Sequence, residues 1–335
     1  MAVVAARSET KRHSRSEYCI ELGILNNMPG PALERTERQF FAVVAAAAHD
    51  LLVRVHFFSL DTIERDDSVR ALLHRHAYAR AGAIPDRDLD ALIVTGTEPR
   101  ESDLRREPYW PELAQLFDWL QYEGPSTLFS CLAAHAAVLH YDGIPRRPLA
   151  EKRFGNFDHA VARRDPLTHN LSPPFTVAHS RWNELAERDL AAGGYRILTW
   201  SQEAGVELFV RREHADFLFC QGHLEYDRGT LAREYRRDVR RWLAGAASAY
   251  PQLPKNYFSS AETVTFEQFR ARAAFERSEA LMMEFPALAR KPEGRANPAG
   301  AQIVRAWLES IVEKKRSGTR FRDAAAQPDF ATVAA

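Results

Sequence analysis

The stretch Pro125-Ser-Thr-Leu-Phe-Ser-Cys131-Leu-Ala-Ala-His135-Ala-Ala-Val-Leu-His140 decides how the rest of the chain is interpreted. An apolar run typical of a β-strand ends at Cys131, and an alanine-rich run that favours a helix begins at the next residue. This pattern predicts a strand, a nucleophile and a helix in immediate succession, with the thiol at the carboxyl edge of a sheet. The helix dipole and the unpaired N–H groups of the first turn would stabilise a thiolate there. Because free cysteines are also among the most buried residue types, the rest of the chain must supply a base and a pocket.

Segments before Cys131 alternate between strand and helix patterns. Apolar or β-branched runs predict strands at 18–26, 52–59, 90–96 and 127–130, and helical spacing is found at 33–49, 67–80 and 111–122. Such alternation argues for an α/β fold in which helices cover both faces of a parallel sheet. Ligands in such sheets bind beyond the carboxyl ends of the strands, where the sequence places Asn26, Gly96 and Cys131.

The second half of the chain is richer in strand patterns. Strands are predicted at 175–180, 195–200, 206–210 and 216–220, and helices at 229–243 and 303–312, with a loop at 289–300. The expected organisation is a disordered leader over 1–16, one catalytic domain over 17–258, a helical extension packing on it over 259–315, and a disordered tail over 316–335.

Composition and charge limit the classes of function. The 335 residues include 45 basic and 45 acidic side chains, so no global field favours nucleic acid or a membrane surface. Three widely spaced cysteines are not a disulfide framework, and they favour a reducing compartment, the cytoplasm. No apolar run approaches the roughly 20 residues of a membrane span. The stretch 1–16 also lacks the apolar segment of a secretory signal.

The candidate base is His223, in a Gly-His-Leu-Glu motif that follows the strand pattern ending at Cys220. A cysteine nucleophile needs a base, and the base needs a group that orients it. Residues two apart on a strand point the same way, so Glu225 would be that group. Taken alone, the motif is more simply a strand-end histidine beside a solvated glutamate. Together with Cys131 at another strand end, it favours nucleophilic catalysis.

A series of short motifs follows one order along the chain. They are Ile24-Leu-Asn-Asn-Met-Pro29, Thr36-Glu-Arg-Gln39, Leu92-Ile-Val-Thr-Gly96, Tyr109-Trp110, Ser126-Thr-Leu-Phe129 with Cys131, Tyr141-Asp-Gly-Ile-Pro145, Glu151-Lys152, Ala178-His-Ser-Arg181, Glu203-Ala-Gly-Val206, Gly222-His-Leu-Glu-Tyr-Asp227, Arg236-Arg-Asp238 and Asn256-Tyr-Phe258. Over about 18–258, with a weaker echo at 301–313, the chain thereby resembles the homoserine O-acyltransferases of methionine biosynthesis. The resemblance is to the succinyltransferase type, which is built on a class I glutamine-amidotransferase-like fold.

The resemblance implies both a fold and a reaction. The fold would be a flavodoxin-like, class I glutamine-amidotransferase-like three-layer sandwich with a mostly parallel central sheet. The enzyme would transfer an acyl group from acyl-CoA to the hydroxyl of L-homoserine by a ping-pong mechanism. The resemblance implies no bound cofactor and no metal, because succinyl-CoA or acetyl-CoA is a co-substrate. It implies small molecules as partners and a homodimer as the assembly.

The resemblance also assigns roles to residues. Cys131 would carry the acyl group, with His223 as general base and acid and Glu225 orienting it. The backbone N–H groups expected to stabilise the oxyanion belong to Gly96, Thr97 and Leu132. The residues expected to contact substrate are Arg237, which would grip the amino-acid carboxylate, Lys152 and Ser180.

The acyl group is predicted from the loop after Gly96. Counting without gaps places Arg100 at the position that helps the family choose between acetyl and succinyl. A cation there would pair with the free carboxylate of a succinyl group, which favours succinyl-CoA. The ordinary alternative is a solvated loop arginine.

The chain also departs from the family pattern. Leu132 and His135 replace the usual Trp and Gln behind the nucleophile, and Ala32 and Leu33 stand where a lysine pair is usual. Three alternatives therefore stay open. They are acyl transfer to another hydroxy amino acid such as serine, glutaminase activity of an amidotransferase, and a non-enzymatic binding role.

Overall fold

A nine-stranded sheet forms the centre of the protein, in a computed structural model that describes residues 3–5, 19–211, 216–287 and 296–317. Its strands in spatial order are β1 (Val3–Ala5), β3 (Leu52–Ser59), β2 (Cys19–Leu25), β5 (Ala91–Val94), β6 (Ser126–Ser130), β13 (Phe217–Cys220), β12 (Leu208–Arg211) and β9 (Arg196–Ile197), with β4 (Ala79–Arg80) beside β3. In this spatial order, each strand from β1 through β13 runs parallel to the next. Strand β12 is antiparallel to both its neighbours, β13 and β9. The inner order β3-β2-β5-β6-β13 is that of a doubly wound, flavodoxin-like sheet.

Helices cover both faces of this sheet. Helices α1 (Gly30–Ala48) and α8 (Pro298–Ser317) pack on one face, and α3 (Trp110–Glu123) and α4 (Leu132–Asp142) pack on the other. Successive side chains of β5 point to opposite faces of the sheet. Ile93 packs in the apolar cluster beneath α1 and α8, and Leu92 packs in the cluster beneath α3 and α4. Because it is buried on both faces, β5 is a continuous apolar run. The three-layer α/β prediction is confirmed.

A second, four-stranded antiparallel sheet lies next to the first. Its order is β11 (Gly205–Val206), β10 (Thr199–Ser201), β7 (Arg147–Val161) and β8 (Phe175–Glu184). A bridge between Ala178 of β8 and His223 joins this sheet to the end of β13. The second sheet therefore reaches the edge where the candidate nucleophile and base lie.

The remaining helices are α2 (Asp67–Arg75), α5 (Glu187–Ala192), α6 (Thr230–Leu243) and α7 (Ser260–Phe275). Helices α6 and α7 share a cluster in which the rings of Tyr235 and Phe266 are 5.5 Å apart. None of the described helices is both long enough and apolar enough to cross a membrane.

Several boundaries differ from the sequence prediction. Helix α2 ends at Arg75 rather than residue 80, because Ala77 takes a positive φ of 55° that a helix cannot accommodate. Helix α8 begins at Pro298, inside the predicted loop, and continues to Ser317. Within the expected leader, Val3–Ala5 pairs with Val53–Val55 and covers the edge of β3. Residues 6–18, 288–295 and 318–335, where the rest of the leader, most of the loop and the tail were expected, lie outside the described residues.

Candidate active site

Cys131 occupies a strained turn between β6 and α4. Its backbone has φ 52° and ψ −111°, a conformation that residues other than glycine rarely adopt. The N–H of Cys131 donates to the carbonyl oxygen of Cys220 at 2.8 Å, so the end of β13 holds the turn in place. The strand, cysteine and helix follow one another as the sequence predicted. Backbone strain of this kind persists where the surrounding structure enforces it, commonly at functional sites.

Gly96 lies against the first turn of α4. A Cβ added to Gly96 would stand 2.8 Å from Cβ of Leu132 and 3.2 Å from its backbone nitrogen. Leu132 is the first residue of the helix, so its N–H has no partner one turn earlier. Within the described ranges, the N–H groups of Gly96, Thr97 and Leu132 donate to no backbone carbonyl. The end of β5 and the start of α4 thus bring two of the three predicted oxyanion donors together.

His223 and Glu225 form a hydrogen-bonded pair at the end of β13. Nδ1 of His223 lies 2.8 Å from Oε1 of Glu225, which leaves the other ring nitrogen for the thiol. Burial by itself lowers the pKa of His223, but the Cys131 thiolate and the Glu225 carboxylate outweigh it and raise that pKa well above its ordinary value. The ring of Tyr226 stacks on the imidazole with centroids 3.9 Å apart. The arrangement can therefore hold a thiolate beside an imidazolium.

The three predicted substrate residues meet around two acidic side chains of α6. Ser180 donates to Glu234, and Nζ of Lys152 lies 3.9 Å from the same carboxylate. Lys152 also contacts Asp238 at 2.9 Å, and Nε of Arg237 donates to Asp238 at 2.9 Å. The side chain of Arg237 is 47% exposed, so an incoming carboxylate can reach its guanidinium.

The sequence analysis missed two side chains, Tyr226 and Glu234, that join this cluster to the His223–Glu225 pair. The hydroxyl of Tyr226 donates to Glu234 while its ring stacks on His223. The available signal was spacing: Glu234 and Arg237 are three apart on a helix and so share a face.

Arg100 stands apart from the other predicted residues. Its side chain is 71% exposed and pairs with Glu64 at 3.3 Å. Its backbone N–H, and that of Glu101, donate to the buried carboxylate of Glu107, which shapes the loop. The role of Arg100 in choosing the acyl group stays a prediction.

The residues that replace the family's lysine pair lie at the start of α1. Leu33 is fully buried, and its carbonyl accepts a hydrogen bond from Nδ2 of Asn26 at 3.0 Å. The position of Leu33 therefore serves the core rather than a charged subsite.

Comparisons with known proteins identify one family. A family model described as "HTS: Homoserine O-succinyltransferase" matches residues 2–309. The homoserine O-succinyltransferase of Methylorubrum extorquens is 45% identical over 297 residues, which is 88% of this chain and 88% of that protein. Its namesake from Rhodopseudomonas palustris is 43% identical over 304 residues, covering 90% of this chain and 91% of that protein. A glutamine amidotransferase from Methylobacillus flagellatus superposes with a TM-score of 0.47 at 12% identity, covering 91% of this chain and 96% of that chain, and supports no conclusion about activity. The chain is an acyltransferase and belongs to the homoserine O-succinyltransferase family.

Proposed function

We propose that this enzyme transfers a succinyl group from succinyl-CoA to the hydroxyl of L-homoserine through a thioester on Cys131. The observation that carries the proposal is the strained turn, which holds the thiol beside the His223–Glu225 pair and next to the N–H of Leu132 at the start of α4. The family's name specifies the same acyl group and the same acceptor. The proposed compartment is the cytoplasm, because three free cysteines are typical of proteins in a reducing environment.

In the first half-reaction, the Cys131 thiolate attacks the thioester carbonyl carbon of succinyl-CoA. The negative charge moves to the carbonyl oxygen, which accepts hydrogen bonds from the N–H groups of Leu132 and the Gly96-Thr97 segment. One such donor typically contributes roughly 3–4 kcal/mol to the transition state. The bond to the CoA sulfur then breaks, and protonated His223 gives its proton to the leaving thiolate. The raised pKa of His223 supports this step, because the protonated ring is present at neutral pH.

In the second half-reaction, neutral His223 accepts the proton of the homoserine hydroxyl. The oxygen attacks the thioester carbonyl carbon, the bond to sulfur breaks, and Cys131 leaves as a thiolate. Glu225 stabilises the imidazolium that forms in this step and keeps Nδ1 oriented. The products are O-succinylhomoserine and the starting enzyme.

The acidic and basic cluster on α6 suits an amino acid. The carboxylate of homoserine would replace Asp238 as the partner of Arg237, whose planar guanidinium binds carboxylates through two hydrogen bonds. The ammonium would bind Glu234, beside Ser180 and Lys152. The free carboxylate of the succinyl group would pair with Arg100. The enzyme would act as a homodimer with small molecules as partners and without a bound cofactor.

Mass spectrometry of the intact protein tests the proposal. Succinyl-CoA should add one succinyl group to the wild type and to Cys19→Ala, but not to Cys131→Ala, and homoserine should remove it. Parallel samples use acetyl-CoA as donor and serine as acceptor, and Arg100→Glu should shift donor preference towards acetyl. If neither donor labels Cys131 and glutamine is hydrolysed instead, the enzyme is an amidotransferase and the proposal fails.

A further inference from the structure

Four ionisable side chains lie buried behind the catalytic histidine and take no part in the steps above. His159, His179, Arg181 and Glu207 are respectively 1%, 0%, 4% and 0% exposed. They belong to β7, β8 and the segment between β11 and β12. Burying such groups is costly unless each is hydrogen-bonded or paired. A cluster of this kind must therefore be held together by specific contacts.

Arg181 determines the protonation of His179. Its Nε donates to Nδ1 of His179 at 3.2 Å, and its two terminal nitrogens donate to the carbonyls of Asn183 at 2.8 Å and Ala204 at 2.6 Å. A guanidinium cannot accept a hydrogen bond, so Nδ1 of His179 must be the acceptor. In the neutral ring, the proton is therefore on Nε2.

That proton points into the rest of the cluster. Nε2 of His179 lies 3.3 Å from Nε2 of His159 and 3.4 Å from Oε2 of Glu207. Nδ1 of His159 donates to the carbonyl of Phe157 at 2.9 Å, which leaves its Nε2 free to accept. Burial lowers the pKa of His159 to about 4 and that of His179 well below its ordinary value, so both rings are neutral. His179 thus links the Arg181 guanidinium to the Glu207 carboxyl group.

A metal ion fits this cluster less well. The nearest ligand atoms of His159, His179 and Glu207 lie within 4.8 Å of one another, which is close enough for a shared ion. However, the proton on Nε2 of His179 occupies the direction that a metal would need, and Arg181 already supplies a positive charge. An Arg181–His179–Glu207 chain accounts for these contacts without a metal, although Oε1 of Glu207 has no hydrogen-bond partner among the described residues.

The cluster holds the backbone on which His223 is mounted. Oε2 of Glu207 accepts the N–H of Gly222 at 2.6 Å. The N–H of His223 donates to the carbonyl of Ala178 at 2.9 Å, and Ala178 directly precedes His179. A Cβ on Gly222 would stand 2.9 Å from Oε2 of Glu207 and 3.0 Å from Cε1 of His179, so turn and cluster are in direct contact.

We infer that Glu207 is a positioning residue, whose buried carboxylate holds the Gly222 N–H and thereby aims His223 at Cys131. The inference rests on the proposed function only for the identity of the catalytic pair. Burial raises the pKa of Glu207 to about 7, while the Gly222 N–H and Arg181 act in the opposite direction. Arg181 therefore helps the carboxylate to remain charged in the interior.

The test compares Glu207→Ala with Glu207→Gln. Loss of the carboxylate should lower kcat on the order of tenfold to hundredfold, because small misplacements of a catalytic group are costly. KM for both substrates should stay within about twofold, since the substrate residues are untouched. The amide oxygen of Gln accepts the same N–H, so Glu207→Gln should restore kcat to within about threefold of wild type. Alkylation of Cys131 by iodoacetamide at neutral pH should slow in the Ala variant and recover in the Gln variant.

The matched control is Asp90→Ala. Asp90 accepts the N–H of Glu21 at 2.8 Å and pairs with Lys315 at 2.7 Å, at the amino edge of the sheet. This variant should lose thermal stability but keep its kcat and alkylation rate. If Glu207→Ala does not fold, Glu207→Asp replaces it, because the shorter side chain draws the carboxylate away from Gly222.

Three results would overturn the inference. They are wild-type kcat and alkylation in Glu207→Ala, equal impairment of the Gln and Ala variants, and stoichiometric zinc that is lost with Glu207. Alkylation requires no acyl donor, so a changed alkylation rate supports the inference even if homoserine proves not to be the acceptor.

Discussion

At the scale of single residues, two opposing effects act on the pKa of the His223 imidazole. Burial lowers the pKa of His223, whereas the charges of Cys131 and Glu225 raise it, and the charges dominate. The pKa in the folded state is therefore above the unfolded value of about 6.5. The resulting contribution to stability is fully present below that value and is lost as pH rises through the folded pKa. The charges beside the His223 ring thus stabilise the folded state, and in the proposed mechanism they also serve catalysis.

Replacing the nucleophile should reveal this coupling. In Cys131→Ala the thiolate is gone, so the pKa of His223 should fall, although Glu225 still supports the charged ring. The chemical shift of the His223 ring proton, followed against pH by NMR, measures the change. The control is Cys19→Ala, at the amino end of β2, which should leave the titration midpoint of His223 at its wild-type value. An unchanged midpoint in Cys131→Ala would mean that the thiol is not charged beside the ring.

At the scale of elements, strands with one clear pattern were predictable and strands shaped by tertiary contacts were not. Strand β3 was predicted over residues 52–59, the bounds it has, because its apolar run is bordered by polar turns. Strand β7 was missed over its whole length, because none of residues 147–153 is buried and no continuous apolar run marks the strand. Its Pro148 and Gly155 also weaken the strand pattern.

The same distinction applies to the site. Cys131, His223 and Glu225 were predictable because each follows a buried strand, and strand ends meet at one edge. Glu207 was not, because it sits in a short apolar stretch and only the pairing of two sheets places its carboxylate beneath Gly222. Its burial is a property of the packing rather than of the local sequence.

The junction of β5 with α4 depends on Gly96 having no side chain. In Gly96→Ala the new methyl would press on Leu132 and displace its N–H, a proposed oxyanion donor. We expect kcat to fall on the order of a hundredfold, with smaller changes in KM. Gly82→Ala is the control, since an added Cβ there meets no atom within 4 Å. Steady-state kinetics with succinyl-CoA and homoserine give both values, and a fully active Gly96→Ala would exclude this donor.

At the scale of the whole molecule, helix α8 reaches the segment that carries His223 and Glu225. Nε1 of Trp307 donates to Oγ of Ser126 at 2.8 Å, which ties α8 to the strand that carries Cys131. A Cβ on Gly300 would lie 2.9 Å from the carbonyl carbon of Leu224 and closer still to its oxygen. Leu224 separates the two members of the His223–Glu225 pair. The sequence analysis predicted this helix over 303–312 and a loop over 289–300. The first turn of α8, at 298–300, is the part that contacts Leu224, and it lies inside that predicted loop.

This contact predicts that a change far along the chain affects catalysis. Gly300→Ala should push Leu224 and so misalign the residues on either side of it. Overpacking of this kind typically costs about 1–3 kcal/mol of stability, visible as a lower Tm. The kcat of the folded enzyme should fall as well, while KM changes little, because Arg237 and Lys152 lie on other elements. Glu313→Ala, on the exposed side of the same helix, should change neither value. If Gly300→Ala is less stable yet turns over at the wild-type rate, α8 supports the fold without helping to align the catalytic pair.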